Sequence, residues 1–308
     1  MMRRTMWAGF RSILCPIDFS DHSRLALQYA FVVALRGKAL LRVMYVNDPL
    51  LVAAAAAALK DRAFTKQSAH ELQEFTEATV PSRPRPAVRV TSQVSVGDPC
   101  DHILKAAASR ATDLIVLGTH GVTGAGRVFI GSTTLGVLQR TSVPVLAVSH
   151  AGEIPPAAVA ASWPAGPILA AIDLNGGAAV EVQSAARIAE RFGSSLVVAH
   201  VVSEIASPAW LSADLSAHDR IRLAQAQRRM EALAAVARRH VSTDVRVTCG
   251  NVADEIAAIS AAERAELVLT VLLDRRHWFG AKRGSISYHV LSHAVTPVLA
   301  CPPQWQPR

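Results

Sequence analysis

A chain of 308 residues is long for one compact core and ample for two domains of about 150 residues each. An apolar fraction of 51% with 18% charged residues excludes a disordered chain, and the longest apolar run, 50–59, is about half of the roughly 20 residues that a membrane-spanning helix needs. The net charge of +8 is carried almost wholly by dispersed arginines with little aromatic interleaving, so no membrane and no nucleic-acid partner is expected.

The first strand is the short apolar run 12–18, which ends at Asp18. Ser20, Asp21, His22 and Ser23 then offer N-caps for a helix over 23–35. A second strand, 41–46, ends at Val46 and is followed by one helical pattern over 53–78. Gly97 and Asp98 precede a third helix over 101–110, and 113–117 reads as another buried strand. Next come Gly118-Thr119-His120-Gly121, nine further residues, and Gly131-Ser132-Thr133-Thr134, which open a helix over 132–140 before a strand at 143–148. Residues 150–166, with Pro155, Pro156 and Pro164, break both periodicities and read as a linker between domains at 1–149 and 167–308.

The second domain repeats the first. Runs 167–173, 196–201, 266–270 and 296–301 match 12–18, 41–46, 113–117 and 143–148 in the same order, and Gly250-Asn251 matches Gly97-Asp98. The separation from Asp18 to Tyr45 and from Asp173 to His200 is 27 residues in both halves. Strands alternating with helices imply right-handed crossovers and a parallel sheet, so the fold class is α/β, with two tandem doubly wound, Rossmann-like domains of five strands each. The densest basic cluster (Arg220, Arg222, Arg228, Arg229, Arg238, Arg239) reads as the solvated face of a helix. Arg3 and Arg4 precede no apolar signal segment, and Cys15, Cys100, Cys249 and Cys301 form no CxxC, which fits reduced thiols in a cytoplasmic protein.

In such sheets ligands bind at the carboxyl ends of the strands, where Asp18, Gly118 and Gly131 should meet. Gly118 would allow close approach of a ligand, while Gly121 and Gly131 would supply positive φ. Ser132, Thr133 and Thr134 would place hydroxyls beside the free N–H groups of a helix start, a ready anion site, with Arg127 in the intervening loop as a charge partner. The motif is neither a Walker A loop nor GxGxxG. The bland alternatives are that the glycines only shape the chain and that Asp18 caps the following helix. His120 has no nucleophile or carboxylate beside it, and Cys15 on a buried strand reads as inert.

Gly-x2-Gly-x9-Gly-Ser followed by Val143-Pro144-Val145-Leu146-Ala147-Val148, with Pro16-Ile17-Asp18-Phe19-Ser20 at the first strand, closely resembles the ATP-binding class of the universal stress protein family, over nearly the whole chain. The resemblance implies a strand order 3-2-1-4-5 and ATP at the carboxyl edge. Asp18 would sit against the nucleoside, with Pro16 and the backbone of Val46 lining the adenine and ribose pocket. Gly118, Thr119 and Gly121 would approach the ribose and phosphates, and Gly131, Ser132, Thr133 and Thr134 would bind the phosphates. A Mg2+ ion bridging phosphate oxygens would need few protein ligands.

The second half departs from this pattern. Val271 and Asp274 stand where the leading glycines would be, although Asp173, Gly284 and Ser285 persist. Arg275, Arg276, His277, Lys282 and Arg283 crowd the altered loop. The expectation is that only the first half holds ATP in the usual mode. The leading functional reading is a stress-response or regulatory protein that couples nucleotide occupancy to conformation or partner binding. No in-line nucleophile or general base is evident, so catalysis would amount at most to slow ATP hydrolysis or self-phosphorylation. The alternatives are a structural protein pairing through edge strands 143–148 and 296–301, as a homodimer or an intramolecular pseudo-dimer, and an ATP-using enzyme.

Overall fold

The computed structural model describes residues 9–59, 64–80, 88–109, 112–119, 130–149, 162–174, 176–205, 216–272, 290–291, 293–303 and 305. The chain divides into two units, Met1–Trp163 and Pro164–Arg308. The first contains β1 (Ser12–Pro16), α1 (Asp21–Gly37), β2 (Leu40–Asn47), α2 (Pro49–Leu59), α3 (Phe64–Thr79), β3 (Arg89–Val96), α4 (Pro99–Ser109), β4 (Leu114–Gly118), α5 (Ser132–Arg140) and β5 (Val145–Val148). The second contains β6 (Ile168–Ala171), α6 (Ala178–Phe192), β7 (Leu196–Ser203), α7 (Ser216–Ala237), β8 (Thr243–Gly250), α8 (Val252–Ala262), β9 (Leu267–Val271) and β10 (Val298–Cys301).

Within the first unit the strands run β3-β2-β1-β4-β5, all parallel. Within the second they run β8-β7-β6-β9-β10, again all parallel. Both are the expected doubly wound sheets, with order 3-2-1-4-5 counted inside each unit.

The central strands are apolar on both faces because helices cover both. Ile13, Leu14 and Cys15 in β1 and Leu114, Ile115 and Val116 in β4 are buried. Cys301 in β10 is buried as deeply as Cys15. β3, at the edge, has only exposed and half-buried residues and carries a weaker apolar signal. The Asp113 carboxylate accepts the N–H groups of Arg11 and Ser12 at 2.8 and 3.1 Å, which ties the start of β1 to that of β4. Arg42, buried in β2, donates to the Thr112 hydroxyl and the Ala106 carbonyl.

One feature differs from the sequence reading. The helical pattern over 53–78 is two helices, α2 and α3. Only α3 carries a buried stripe (Leu72, Phe75, Thr76, Thr79) with which to cover β2 and β3, whereas α2 has no polar face to set its orientation. The last residues of the first unit are also tied down. Trp163 stacks edge-on against Tyr29 at 4.7 Å, and Arg36 donates to the carbonyls of Ser162 and Trp163 at 2.7 and 2.8 Å. Four of the six clustered arginines of the second unit lie along α7, where Arg222 pairs with Asp219 and Arg220, Arg228 and Arg229 are exposed, whereas Arg238 and Arg239 follow its end.

Leu41 is fully buried between the two helix layers. Leu41→Ala is expected to destabilise the first unit by about 3 kcal/mol. Hydrogen exchange of β2 peptides across a urea series would show the shift.

Candidate functional site

At the carboxyl edge of the first sheet, β1 continues its pairing one residue past its end, with the Ile17 N–H on the Met44 carbonyl at 2.8 Å. The chain then turns at Asp18. Ser20, not Asp18, caps α1, accepting the Ser23 N–H at 3.2 Å. Asp18 Oδ1 accepts the Ser20 N–H at 3.1 Å and the Ser20 hydroxyl at 2.5 Å. The cap therefore orients the carboxylate. Its second oxygen has no hydrogen bond among the described residues.

Phe19 takes φ 65, a left-handed conformation that is costly for an aromatic residue. Its ring meets Tyr45 at 4.6 Å and Phe75 edge-on at 5.5 Å, and the Arg24 guanidinium lies 4.4 Å over Phe75. Through Tyr45 this cluster reaches the site. Burial, and then the negative charges of Asp18 and Asp48, push the Tyr45 hydroxyl above its ordinary pKa, so it stays a neutral hydroxyl near neutral pH.

On the other side, two hydrogen bonds join the end of β4 to the start of α5, beside one that extends the sheet onto β5. The Thr119 N–H extends the sheet onto the Val148 carbonyl at 2.9 Å, and the Thr119 carbonyl accepts the Gly131 N–H at 2.7 Å. The Thr134 hydroxyl donates to the Gly118 carbonyl at 2.7 Å. α5 has Gly131 as its N-cap, with no side-chain cap. The first-turn N–H groups of Ser132, Thr133 and Thr134 have no protein acceptor among the described residues, and they carry the positive end of the helix dipole.

These elements enclose a cavity of about 300 Å3. Pro16, Asp18, Val46, Gly118, Gly131, Ser132, Thr133 and Thr134 all line it. Thr119 does not. It is buried, and its backbone serves the clasp just described. His120, Gly121 and Arg127 lie outside the described residues.

Two glycine arguments change. Gly131 sits at φ −56, ψ 146, ordinary extended backbone, so it is not there for positive φ. Its missing side chain instead leaves the helix start uncapped. Gly118 is small first because α1 approaches it. A Cβ there would lie 3.0 Å from the His22 carbonyl carbon and Cβ.

Sequence reasoning missed Met44, Tyr45, Pro99 and Ile103, which also line the cavity. Tyr45 was already marked by its fixed spacing from Asp18, and Pro99 by following Gly97-Asp98. Ile103 carries no signal distinct from that of a core residue.

The corresponding edge of the second unit is built differently. By the repeat alignment α6 starts two residues later than α1, at Ala178 after Gly177. The element that crowds Gly118 in the first unit is thus set back where β9 ends in Val271. His200, the counterpart of Tyr45, is fixed by a 2.8 Å hydrogen bond between Nδ1 and the Ile172 carbonyl. Arg229 holds the Leu174 carbonyl at 2.8 Å. Glu181, where the first unit has Ala26, brings a second carboxyl beside Asp173. Burial, and then the Asp173 charge, push its pKa up to about 7, although the Asp173 N–H opposes the rise. Asp274, Arg275, Arg276, His277, Lys282, Arg283, Gly284 and Ser285 lie outside the described residues. Among the described residues no three His, Cys, Asp or Glu side chains form a metal cluster, and no helix is long and apolar enough to cross a membrane.

The universal stress protein family matches residues 9–149 and 165–302, and the chain belongs to this family. A universal stress protein of Methanocaldococcus jannaschii is 28% identical over 139 residues, covering 45% of this chain and 82% of the relative. One of Thermus aquaticus is 29% identical over 140 residues, covering 45% of this chain and 98% of the relative. Such relatives correspond to one repeat. The crystal structure of a universal stress protein of Archaeoglobus fulgidus covers 94% of this chain and 96% of its own, at 20% identity and a TM-score of 0.63, and shows the same fold.

The raised pKa of Glu181 makes the second unit sensitive to pH. The folded state retains a proton that the unfolded chain releases near 4.5, so stability falls as pH rises from there through about 7. Urea midpoints of the second unit should be lower at pH 8 than at pH 5, and Glu181→Gln should flatten that dependence.

Proposed function

We propose that the first unit binds an adenine nucleotide, ATP with Mg2+, and that this universal stress protein couples its occupancy to conformation or partner binding as a cytoplasmic regulatory protein. The observation that carries this reading is the uncapped start of α5, with free N–H groups and hydroxyls at one end of a cavity whose other end is apolar. Anions are stabilised at such a helix start by donors and dipole together. Met44, Val46, Pro99 and Ile103 suit a flat base, and Asp18, with one oxygen uncommitted, suits a ribose hydroxyl. A volume of about 300 Å3 is at the low end for a small-molecule site, so the base and ribose fill it while the phosphates run out along α5. Among the described residues no carboxylate cluster surrounds the helix start, and an ion held mainly by phosphate oxygens needs none, with the hydroxyls of Ser132 and Thr133 as candidate further ligands. On the motif alone, Gly121 and Arg127 are assigned to the phosphate side.

The same reasoning gives one nucleotide per chain. In the second unit Val271 adds bulk, and Glu181 and Asp173 set two carboxyls at the strand end where the first unit has one.

Titration calorimetry on the full chain should therefore show ATP binding at one site. Gly131→Asp places a good N-cap where backbone angles already suit it, so the fold should hold while a carboxylate takes the N–H groups and repels phosphate. ATP affinity should drop at least tenfold, and less for the neutral Gly131→Asn. Undiminished binding in the aspartate variant would sink the α5 assignment, and a stoichiometry of two would sink the asymmetry.

A further inference from the structure

The second unit has a cavity of about 390 Å3 along α8 that the nucleotide reading does not use. One wall is a stripe at helical spacing, Ala253, Ile256, Ala257, Ser260, Ala261 and Arg264, about 16 Å long. Val268 of β9, Val290 and Thr296 also line it. α8 returns the chain from the carboxyl edge of the parallel sheet to its amino edge, so Arg264 stands at the amino edge.

The internal repeat shows why the space is there. At the offset that pairs Gly97 with Gly250, Leu104 of α4 stands where Ala257 does, and Ile115 of β4 where Val268 does. Leu104 is half-buried and Ile115 buried. Both exchanges take carbon out of the wall. Two others add polarity at the same place. Ser260 and Thr296 stand where the first unit has Ala107 and Val143, and their hydroxyls hydrogen-bond to each other at 3.2 Å. Ser260 is buried.

Arg264 supplies the charge. It takes φ 52 just beyond α8, with its N–H on the Ala261 carbonyl at 3.1 Å, in a conformation that glycine adopts at least cost and that α6 gives to Gly193. The carboxylates beside it are engaged elsewhere. Glu263 pairs with Arg246 at 2.6 Å, and Glu266 accepts the Ala165 N–H at 2.9 Å. Among the described residues no carboxylate pairs with Arg264. The cavity is therefore polar at the end of Arg264, Ser260 and Thr296 and apolar at the end of Ala253, Ile256 and Val290.

We propose that this cavity binds a small monocarboxylate with an apolar tail, its head on Arg264 and the two hydroxyls and its tail along α8. Charge sets the class of head. A guanidinium repels a cation and favours a carboxylate. The end of α8 carries the negative end of its dipole, which one guanidinium can offset for a single charge but not for a phosphate. Volume sets the tail. At ~30 Å3 for each water-sized group there is room for about a dozen non-hydrogen atoms, which octanoate fits. The site uses no residue of the first unit and does not depend on ATP binding there.

The test is a 1H–15N NMR titration of the full chain with octanoate. The amides of Ala257, Ser260 and Arg264 should shift with a Kd below about 1 mM, and octylammonium should bind at least fivefold more weakly. Arg264→Gly suits the left-handed backbone. It should cost about fivefold in octanoate affinity and leave 1-octanol unchanged. Ala257→Leu installs the side chain of the first unit. It should weaken octanoate at least tenfold without lowering the urea midpoint of the second unit. No shift along α8, octylammonium bound as tightly as octanoate, equal loss of octanol and octanoate in Arg264→Gly, or undiminished octanoate binding in Ala257→Leu would each overturn the proposal. ATP isotherms of the same variants should be unchanged, so failure here is distinct from failure of the nucleotide reading.

Discussion

The site of the first unit depends on how the end of β4 is joined to the start of α5. Thr119 and Gly131 stand twelve positions apart in the chain, yet they are in contact. The Thr119 carbonyl on the Gly131 N–H and the Thr134 hydroxyl on the Gly118 carbonyl accomplish this. With the ends clasped, the start of α5 is held against the end of β4. Its first-turn donors face the volume beside Asp18. An uncapped helix start has donors with no protein acceptor of their own, and holding it at a sheet edge in this way is what the proposed nucleotide site relies on. Asp18 is treated similarly on the opposite wall, where the cap of α1 occupies one carboxylate oxygen and leaves the other.

The two units show how local the difference between a site and a scaffold can be. Both have the same strand order and the same aspartate at the end of the first strand. What changes is a correlated set of residues at one edge. Gly118 lets α1 start early, and its counterpart Val271 accompanies a helix that starts two residues later. Ala26 is replaced by Glu181, whose carboxyl turns to the backbone of Asp173. Among the described residues, a glycine, a helix start and one half-buried carboxyl are thus among the differences between two sheets of the same strand order.

The interior strands and their repetition were legible in the sequence because buried parallel strands are continuous apolar runs, and runs such as 12–17 and 113–117 leave no other assignment. The edge strand β3 was less so, because half of its residues face solvent. The residues of the phosphate-side motif were legible as a pattern, but their reasons were not. Only backbone angles reveal that Gly131 is extended, and only the position of His22 reveals why residue 118 is small. Met44 and Ile103 were invisible as site residues because a cavity wall and a core use the same side chains. The division of 53–78 into α2 and α3 was hidden because an alanine run reads as helix whichever way it faces.

Burial has a chemical consequence for the thiols. Cys15 and Cys301 are closed inside β1 and β10, and burial pushes both far above the ordinary thiol range. Since the thiolate is the reacting species, neither offers an appreciable nucleophile at neutral pH. Alkylating reagents and peroxides meeting the folded chain would find only Cys100 and Cys249, neither of which is buried. The two sheets can thus pass through an oxidising episode with their interiors chemically untouched, and any sulfur chemistry the protein undergoes while folded is confined to its periphery.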